Sequence, residues 1–227
     1  MYKSCGIDVQ YCGHPLVSQL QPPANKKEFF TKHELDFDKK LVSVFPGSRV
    51  FELKHLMKTF KDAVKILEAK YPQLQFVFSQ APNLSNEVYK KYFGNGNYKL
   101  IKGENQALLS ISDALILASG TVALEACLYK TPMIIAYKGP KLFYWIYLLV
   151  RCKKMVSLPN IIADKLITPE LIEDNATAEN IADHIEKLLF DIPAMTTMKQ
   201  ELGEVGKMLS DKNSAFEAAK AIDRELF

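Results

Sequence analysis

The sequence predicts a doubly wound α/β domain, a parallel sheet with helices on both faces, followed by a helical C-terminal segment. Three observations predict it. Short apolar runs alternate with stretches of helical periodicity from about residue 41 to residue 137. Those runs lack the in–out alternation of a half-exposed strand, as strands covered on both faces do. Beyond about residue 165 the apolar pattern is helical. Strands and helices in strict alternation build parallel βαβ units.

Taken in order, residues 7–12 predict a short strand closed by Gly13-His14-Pro15. Residues 18–40 are polar, carry Pro22-Pro23 and a charge-rich stretch, and predict a linker over 21–40. Residues 41–45 are the first strand of the main domain, followed by the turn Pro46-Gly47-Ser48-Arg49. Leu53, Leu56, Met57, Phe60, Val64 and Leu67 then recur at helical spacing. A strand over 74–78, a helix over 84–93, a strand over 98–101 and a short helix over 106–111 follow. Residues 114–118 form the next strand, run through Ser119-Gly120-Thr121 into a helix to about residue 128, and precede a strand over 133–137. The helix over 175–190 shows Ile181, Ile185, Leu188 and Leu189 on one face, and 214–226 carries a weaker stripe. The expected organisation is 1–20 as the end of a preceding unit, 21–40 linker, 41–190 main domain and 191–227 C-terminal helices.

At 227 residues the chain is long enough to bury a substantial core. A net charge of +3 does not point to nucleic acid, and no nucleic-acid partner is expected. Cys5, Cys12, Cys127 and Cys152 have neither CxxC spacing nor histidines at zinc-finger distances, so free thiols and no metal are expected. The first residues lack an apolar signal core. The longest apolar run, 142–150, falls well short of the roughly 20 residues that cross a bilayer. A soluble or peripheral protein is the expectation.

Two strand–turn–helix junctions carry the candidate chemistry. In a doubly wound sheet ligands bind beyond the carboxyl ends of the strands, where helix starts offer free N–H groups. At the first junction, Gly47 allows close backbone approach, Ser48 can cap the helix and Arg49 offers a fork matched to diphosphate oxygens. A plain capped turn with a surface arginine is the competing reading. At the second, Ser119 and Thr121 offer hydroxyls and caps, Gly120 leaves room for phosphate, and Glu125 lies one helical turn beyond Thr121. A carboxylate there can accept from both ribose hydroxyls; an ordinary solvated glutamate is the alternative. Asn160, in Ser157-Leu158-Pro159-Asn160, can bond a ligand or cap a helix, and His14 can contact substrate or hold a tight turn. Residues 138–154, with Phe143, Trp145, Ile146 and Leu149 between basic ends, suit a membrane-interface helix, a buried helix or a dimer surface.

In order and spacing, these segments resemble the lipid-A-disaccharide synthases. The matching residues are Gly13-His14-Pro15-Leu16, Phe45 to Arg49, Ser112-Asp113-Ala114, Ala118 to Glu125, Pro132-Met133, Ala136-Tyr137 and Val156 to Asn160. The resemblance implies the GT-B architecture of two facing Rossmann-like domains, of which this chain carries the C-terminal, donor-binding one. It implies inverting transfer of 2,3-diacylglucosamine from UDP to 2,3-diacylglucosamine 1-phosphate, with no cofactor and no metal. It places Arg49 and Ser48 at the diphosphate, Ser119, Gly120 and Thr121 around phosphate, Glu125 on the ribose and Asn160 near the donor. It also implies a cytoplasmic protein peripheral on the inner membrane, with Phe143, Trp145, Ile146 and Leu149 facing lipid; homodimerisation stays open. Family members carry a further N-terminal Rossmann domain with the acceptor site, so the catalytic base is expected there and the isolated chain is expected to be inactive. Two alternatives stand beside this: another UDP-sugar enzyme of the same fold (a 2-epimerase or a peptidoglycan glucosaminyltransferase), or a binding fragment that needs a separate N-terminal partner.

Overall fold

A computed structural model describes residues 6, 9–94, 96, 98–139, 155–209 and 213–226. Its centre is a six-stranded sheet of β1 (Lys40–Phe45), β2 (Leu74–Gln80), β3 (Lys99–Lys102), β4 (Ala114–Ala118), β5 (Met133–Tyr137) and β6 (Glu170–Ile172). The order is β3-β2-β1-β4-β5-β6 and every pairing is parallel. All five residues of β4 are buried, as expected of a central strand covered on both faces.

Helices α1 (Pro15–Gln19), α2 (Lys26–Lys32), α3 (Val50–Lys70), α4 (Asn86–Phe93), α5 (Asn105–Ile111), α6 (Val122–Leu128), α7 (Leu158–Ala163), α8 (Ala178–Phe190), α9 (Ile192–Met208) and α10 (Ser214–Leu226) surround the sheet. Leu53, Leu56, Met57, Phe60, Ala63, Val64 and Leu67 bury one face of α3, which packs against α8 and reaches β2 and β4. On the opposite face α5 meets β1, while α6 packs on β5, α7 and α9. The helix α3 stops at Tyr71, the residue before Pro72, where the proline ring disfavours helical backbone.

Several expectations are corrected by this arrangement. Residues 9–12 form no strand. The stretch foreseen as a linker contains α2, whose Phe29 and Phe30 join the same buried cluster as β1, together with Leu35. Around that short apolar pair the sequence is polar and carries paired prolines, so composition does not reveal the helix. The strand β6 was not foreseen, being only three residues long and bearing an acid at its start. His14 sits at the start of α1, where its Nδ1 accepts from Leu16 N at 3.2 Å. Its backbone N–H donates to Leu209 O at 3.2 Å and joins the N-terminal segment to the end of α9.

Asn160, expected near the donor, is built into the fold. It is fully buried within α7 and spends its whole amide on the chain. Its Oδ1 accepts from Ile167 N and Thr168 N, both at 2.9 Å. Its Nδ2 donates to Thr168 O at 2.9 Å and Glu170 Oε1 at 2.7 Å. Glu170 also accepts from Val156 N and Ser157 N, so the pair stitches α7 to the start of β6. Replacing Asn160 by Ala orphans buried backbone groups that each cost about 1–3 kcal/mol. Asn160→Ala is therefore expected to lower Tm by the equivalent of about 2–4 kcal/mol while leaving UDP affinity of the folded protein unchanged. An unaltered Tm with lost UDP affinity would return Asn160 to the donor site.

Candidate functional site

The strands β1 and β4 are hydrogen-bonded neighbours, yet their crossovers depart in opposite directions, to β2 on one side and β5 on the other. Such a divergence opens a crevice beyond the carboxyl ends of the two strands. A cavity of about 340 Å³ lies there, walled by residues 45–49 with Glu52 on one side and residues 118–122 with Glu125 on the other. The structure thus brings Ser48, Arg49, Ser119, Gly120, Thr121 and Glu125 around one space, and it leaves His14 and Asn160 outside it. Phe143, Trp145, Ile146 and Leu149 lie outside the described residues.

The first wall turns at Gly47, whose φ of +111° lies in the region closed to most side chains. A Cβ there would also stand 2.1 Å from Glu52 Oε2, so glycine is required twice over. Ser48 does not cap α3. Glu52 does, accepting from Ser48 N at 2.7 Å and Arg49 N at 3.2 Å. The Arg49 guanidinium lies 3.3 Å from the other carboxylate oxygen and is 78% exposed, free to meet an incoming anion.

The second wall is unlike the first. Neither Ser119 nor Thr121 caps α6 through its side chain. Ser119 N donates to Ala136 O, while among the described residues the N–H groups of Gly120, Thr121 and Val122 meet no acceptor. Gly120 has no positive φ, and a Cβ placed on it meets nothing within 4 Å. Neither backbone conformation nor protein packing therefore demands glycine at 120, and a side chain there would enter the open space of the cavity.

Glu125 lines this cavity and a neighbouring cleft that also touches Gln21, Pro22, Asn105 and Gln106. Burial raises its carboxyl above the ordinary range, opposed by a hydrogen bond from Gln106. Gln106 in turn accepts from Gln21 N at 2.9 Å, and the Tyr129 hydroxyl donates to Gln21 O at 2.7 Å. Glu125 is thus tied to the segment that leads into α2. Between the walls, Ser79 Oγ donates to Asn105 Oδ1 at 2.6 Å. Sequence reasoning missed Ser79, Asn105 and Glu52. The capping-box spacing after the turn was a readable signal for Glu52, whereas Ser79 is hidden in an apolar strand. Among the described residues no group of three or more His, Cys, Asp or Glu is gathered as for a metal ion.

A family model described as lipid-A-disaccharide synthetase matches residues 1–221. The chain belongs to that family. A lipid-A-disaccharide synthase from Dechloromonas aromatica (strain RCB) is 32% identical over 228 residues, and the match covers 98% of this chain and 59% of that protein. One from Hydrogenovibrio crunogenus is 34% identical, covering 84% of this chain and 52% of the relative. The chain therefore spans little more than half the length of these relatives. Among solved structures, WaaG, a glycosyltransferase involved in lipopolysaccharide biosynthesis, aligns with a TM-score of 0.55 at 14% identity, over 89% of this chain and 52% of its own. A UDP-GlcNAc 2-epimerase from Neisseria meningitidis bound to UDP-GlcNAc aligns with a TM-score of 0.53, also at 14% identity, over 87% and 48%. At such identities the likeness is one of fold, and the fold is the GT-B type of these glycosyltransferases and epimerases.

Two outcomes follow from the cleft itself. Gly120→Ala is expected to leave Tm nearly unchanged and to weaken UDP binding about tenfold or more, because the added methyl enters ligand space rather than protein. Equal affinity by calorimetry would remove the second turn from the site. If a ribose hydroxyl donates to the Glu125 carboxylate, as the resemblance implies, it favours the charged form and binding expels the proton. UDP affinity should fall on acidification through the raised Glu125 pKa, and Glu125→Gln should lose that component of the pH profile. Without ligand the sign reverses. The folded carboxyl holds its proton more tightly than the unfolded one, so this group's contribution to stability declines as pH rises through the same range.

Proposed function

We propose that the chain is the donor-binding part of a lipid-A-disaccharide synthase, transferring 2,3-diacylglucosamine from UDP-2,3-diacylglucosamine to 2,3-diacylglucosamine 1-phosphate. The observation that carries this reading, beside family membership, is the meeting of three chemistries around one cavity: an exposed guanidinium, a helix start with unpaired N–H groups, and a half-buried carboxylate. Each suits one portion of a nucleoside diphosphate. Arg49 meets the diphosphate as a charge-matched fork. The amides of residues 120–122, with the hydroxyls of Ser119 and Thr121, meet phosphate oxygens. Glu125 accepts from the ribose hydroxyls.

In the transfer, the bond from the anomeric carbon to the UDP oxygen breaks as an acceptor hydroxyl attacks from the opposite face, with inversion. Negative charge grows on the departing diphosphate. Arg49 and the α6 start offset it, an electrostatic contribution that is larger in the transition state than in the bound substrate. The attacking hydroxyl must lose a proton to a base. Glu125 is committed to the ribose, and we place the base in the part of the enzyme outside this chain's match to its relatives. No helix among the described residues is long and apolar enough to cross a membrane. In this reading the working enzyme meets its acylated substrates as a peripheral protein at the cytoplasmic face of a membrane, with residues 138–154 as the proposed contact.

Calorimetric titration with UDP tests the site, and disaccharide synthesis tests the reaction. Arg49→Ala and Glu125→Ala should each weaken UDP binding by about tenfold, and the 227-residue chain alone should form no disaccharide. Unchanged UDP affinity in both variants would overturn the site. Robust disaccharide formation by the chain alone would overturn the placing of the base.

A further inference from the structure

The cavity already holds an anion of the chain's own. Glu52 reaches back from the first turn of α3, and its side chain is only 16% exposed. One carboxylate oxygen takes the N–H groups of Ser48 at 2.7 Å and Arg49 at 3.2 Å, donors that a diphosphate would otherwise use at this junction. The other oxygen lies 3.3 Å from the Arg49 guanidinium. Gly47 leaves the room for this carboxylate, since a Cβ there would meet it at 2.1 Å.

The two kinds of contact differ in how readily they exchange. The amide contacts are held on a rigid turn, one of them short, and the acid that accepts them is nearly enclosed. The ion pair ends on a guanidinium that is 78% exposed, and such pairs contribute little in water. An arriving diphosphate brings more charge and more acceptor oxygens than one carboxylate. It can draw Arg49 away while Glu52 stays on the backbone.

We propose that Glu52 is a resident counter-anion of the donor site: it keeps the α3 amides occupied, parks Arg49 when the site is empty, and yields only the guanidinium to the diphosphate. The backbone contacts to phosphate then come from the α6 turn alone, where the amides of residues 120–122 are unpaired among the described residues. Glu52 also stands as a negative charge on the cavity wall, so it sets a threshold against weakly bound anions. This inference rests on the reading of the cavity as a UDP site.

Glu52→Gln separates the roles. The amide oxygen can still accept from Ser48 N and Arg49 N, whereas the charge and the pairing with Arg49 are lost. Calorimetry with UDP at low and high salt should show the variant binding roughly threefold to tenfold more tightly at low salt, the scale of one exposed ion pair. The gain should shrink at high salt, and it should be smaller in the Arg49→Ala background, where only the loss of the wall charge remains. Glu52→Ala, which also loses the cap, should instead show a lowered Tm. Weaker or unchanged UDP binding by a Glu52→Gln protein of near wild-type Tm would overturn the proposal. If Arg49→Ala weakens binding and Glu52→Gln fails to tighten it, this inference falls and the UDP site stands. If Arg49→Ala has no effect on UDP, the site reading falls and takes this inference with it.

Discussion

The seam between β1 and β4 is the constraint on which the rest of the site depends. Leu41 N donates to Asp113 Oδ2 and Asp113 N donates to Leu41 O, each at 2.8 Å, which clips the start of β1 to the residue before β4. Nearby, the hydroxyls of Ser43 on β1 and Ser112 after α5 meet at 2.7 Å, both buried. A buried polar pair of this kind is worth its cost only when both partners are present. Held in this register, the two strands end side by side and send their chains apart, one into the Gly47 turn and the other into the Gly120 turn. The crevice between those turns is a consequence of topology, and the side chains at its rim give it chemical character.

The two rims solve opposite problems with opposite means. On the β1 side the helix start is satisfied from within, by Glu52, and the reactive group is the exposed guanidinium at the end of a long side chain. On the β4 side the N–H groups of residues 120–122 meet no acceptor among the described residues, and the space beside Gly120 is open. One rim therefore supplies a mobile, full charge and the other fixed, partial charges. A diphosphate flanked by a sugar and a ribose needs both, since fixed donors set its register while a long cation follows it during departure. Glu125, raised by burial, completes the proposed set, since hydroxyl donors would relieve its burial cost.

Much of the sheet was legible in the sequence because its strands are apolar runs separated by turn residues, a pattern that burial on both faces imposes. The strands β1 to β5 and the helices α3 to α6 stand within a few residues of their expected places. The short β6 was not legible, since its identity comes from pairing with β5 rather than from composition. The helix α2 was hidden for a related reason: Phe29 and Phe30 are surrounded by lysines and glutamate that stay in solvent. In the site, Arg49, Gly120 and Glu125 were readable because turn chemistry and helical spacing are local properties. Where Asn160 and His14 would stand was not legible, because the partners of the Asn160 amide at Ile167 to Glu170 and of the His14 backbone at Leu209 are set by tertiary packing.

The most direct test of the central claim is amide hydrogen exchange with and without UDP, read segment by segment. The account predicts slowed exchange in residues 45–52 and 118–125 together, the two rims of one crevice, with the α7 to β6 region around Asn160 unaffected. Protection confined to the Asn160 region, or to the N-terminal segment around His14, with neither rim altered, would contradict it.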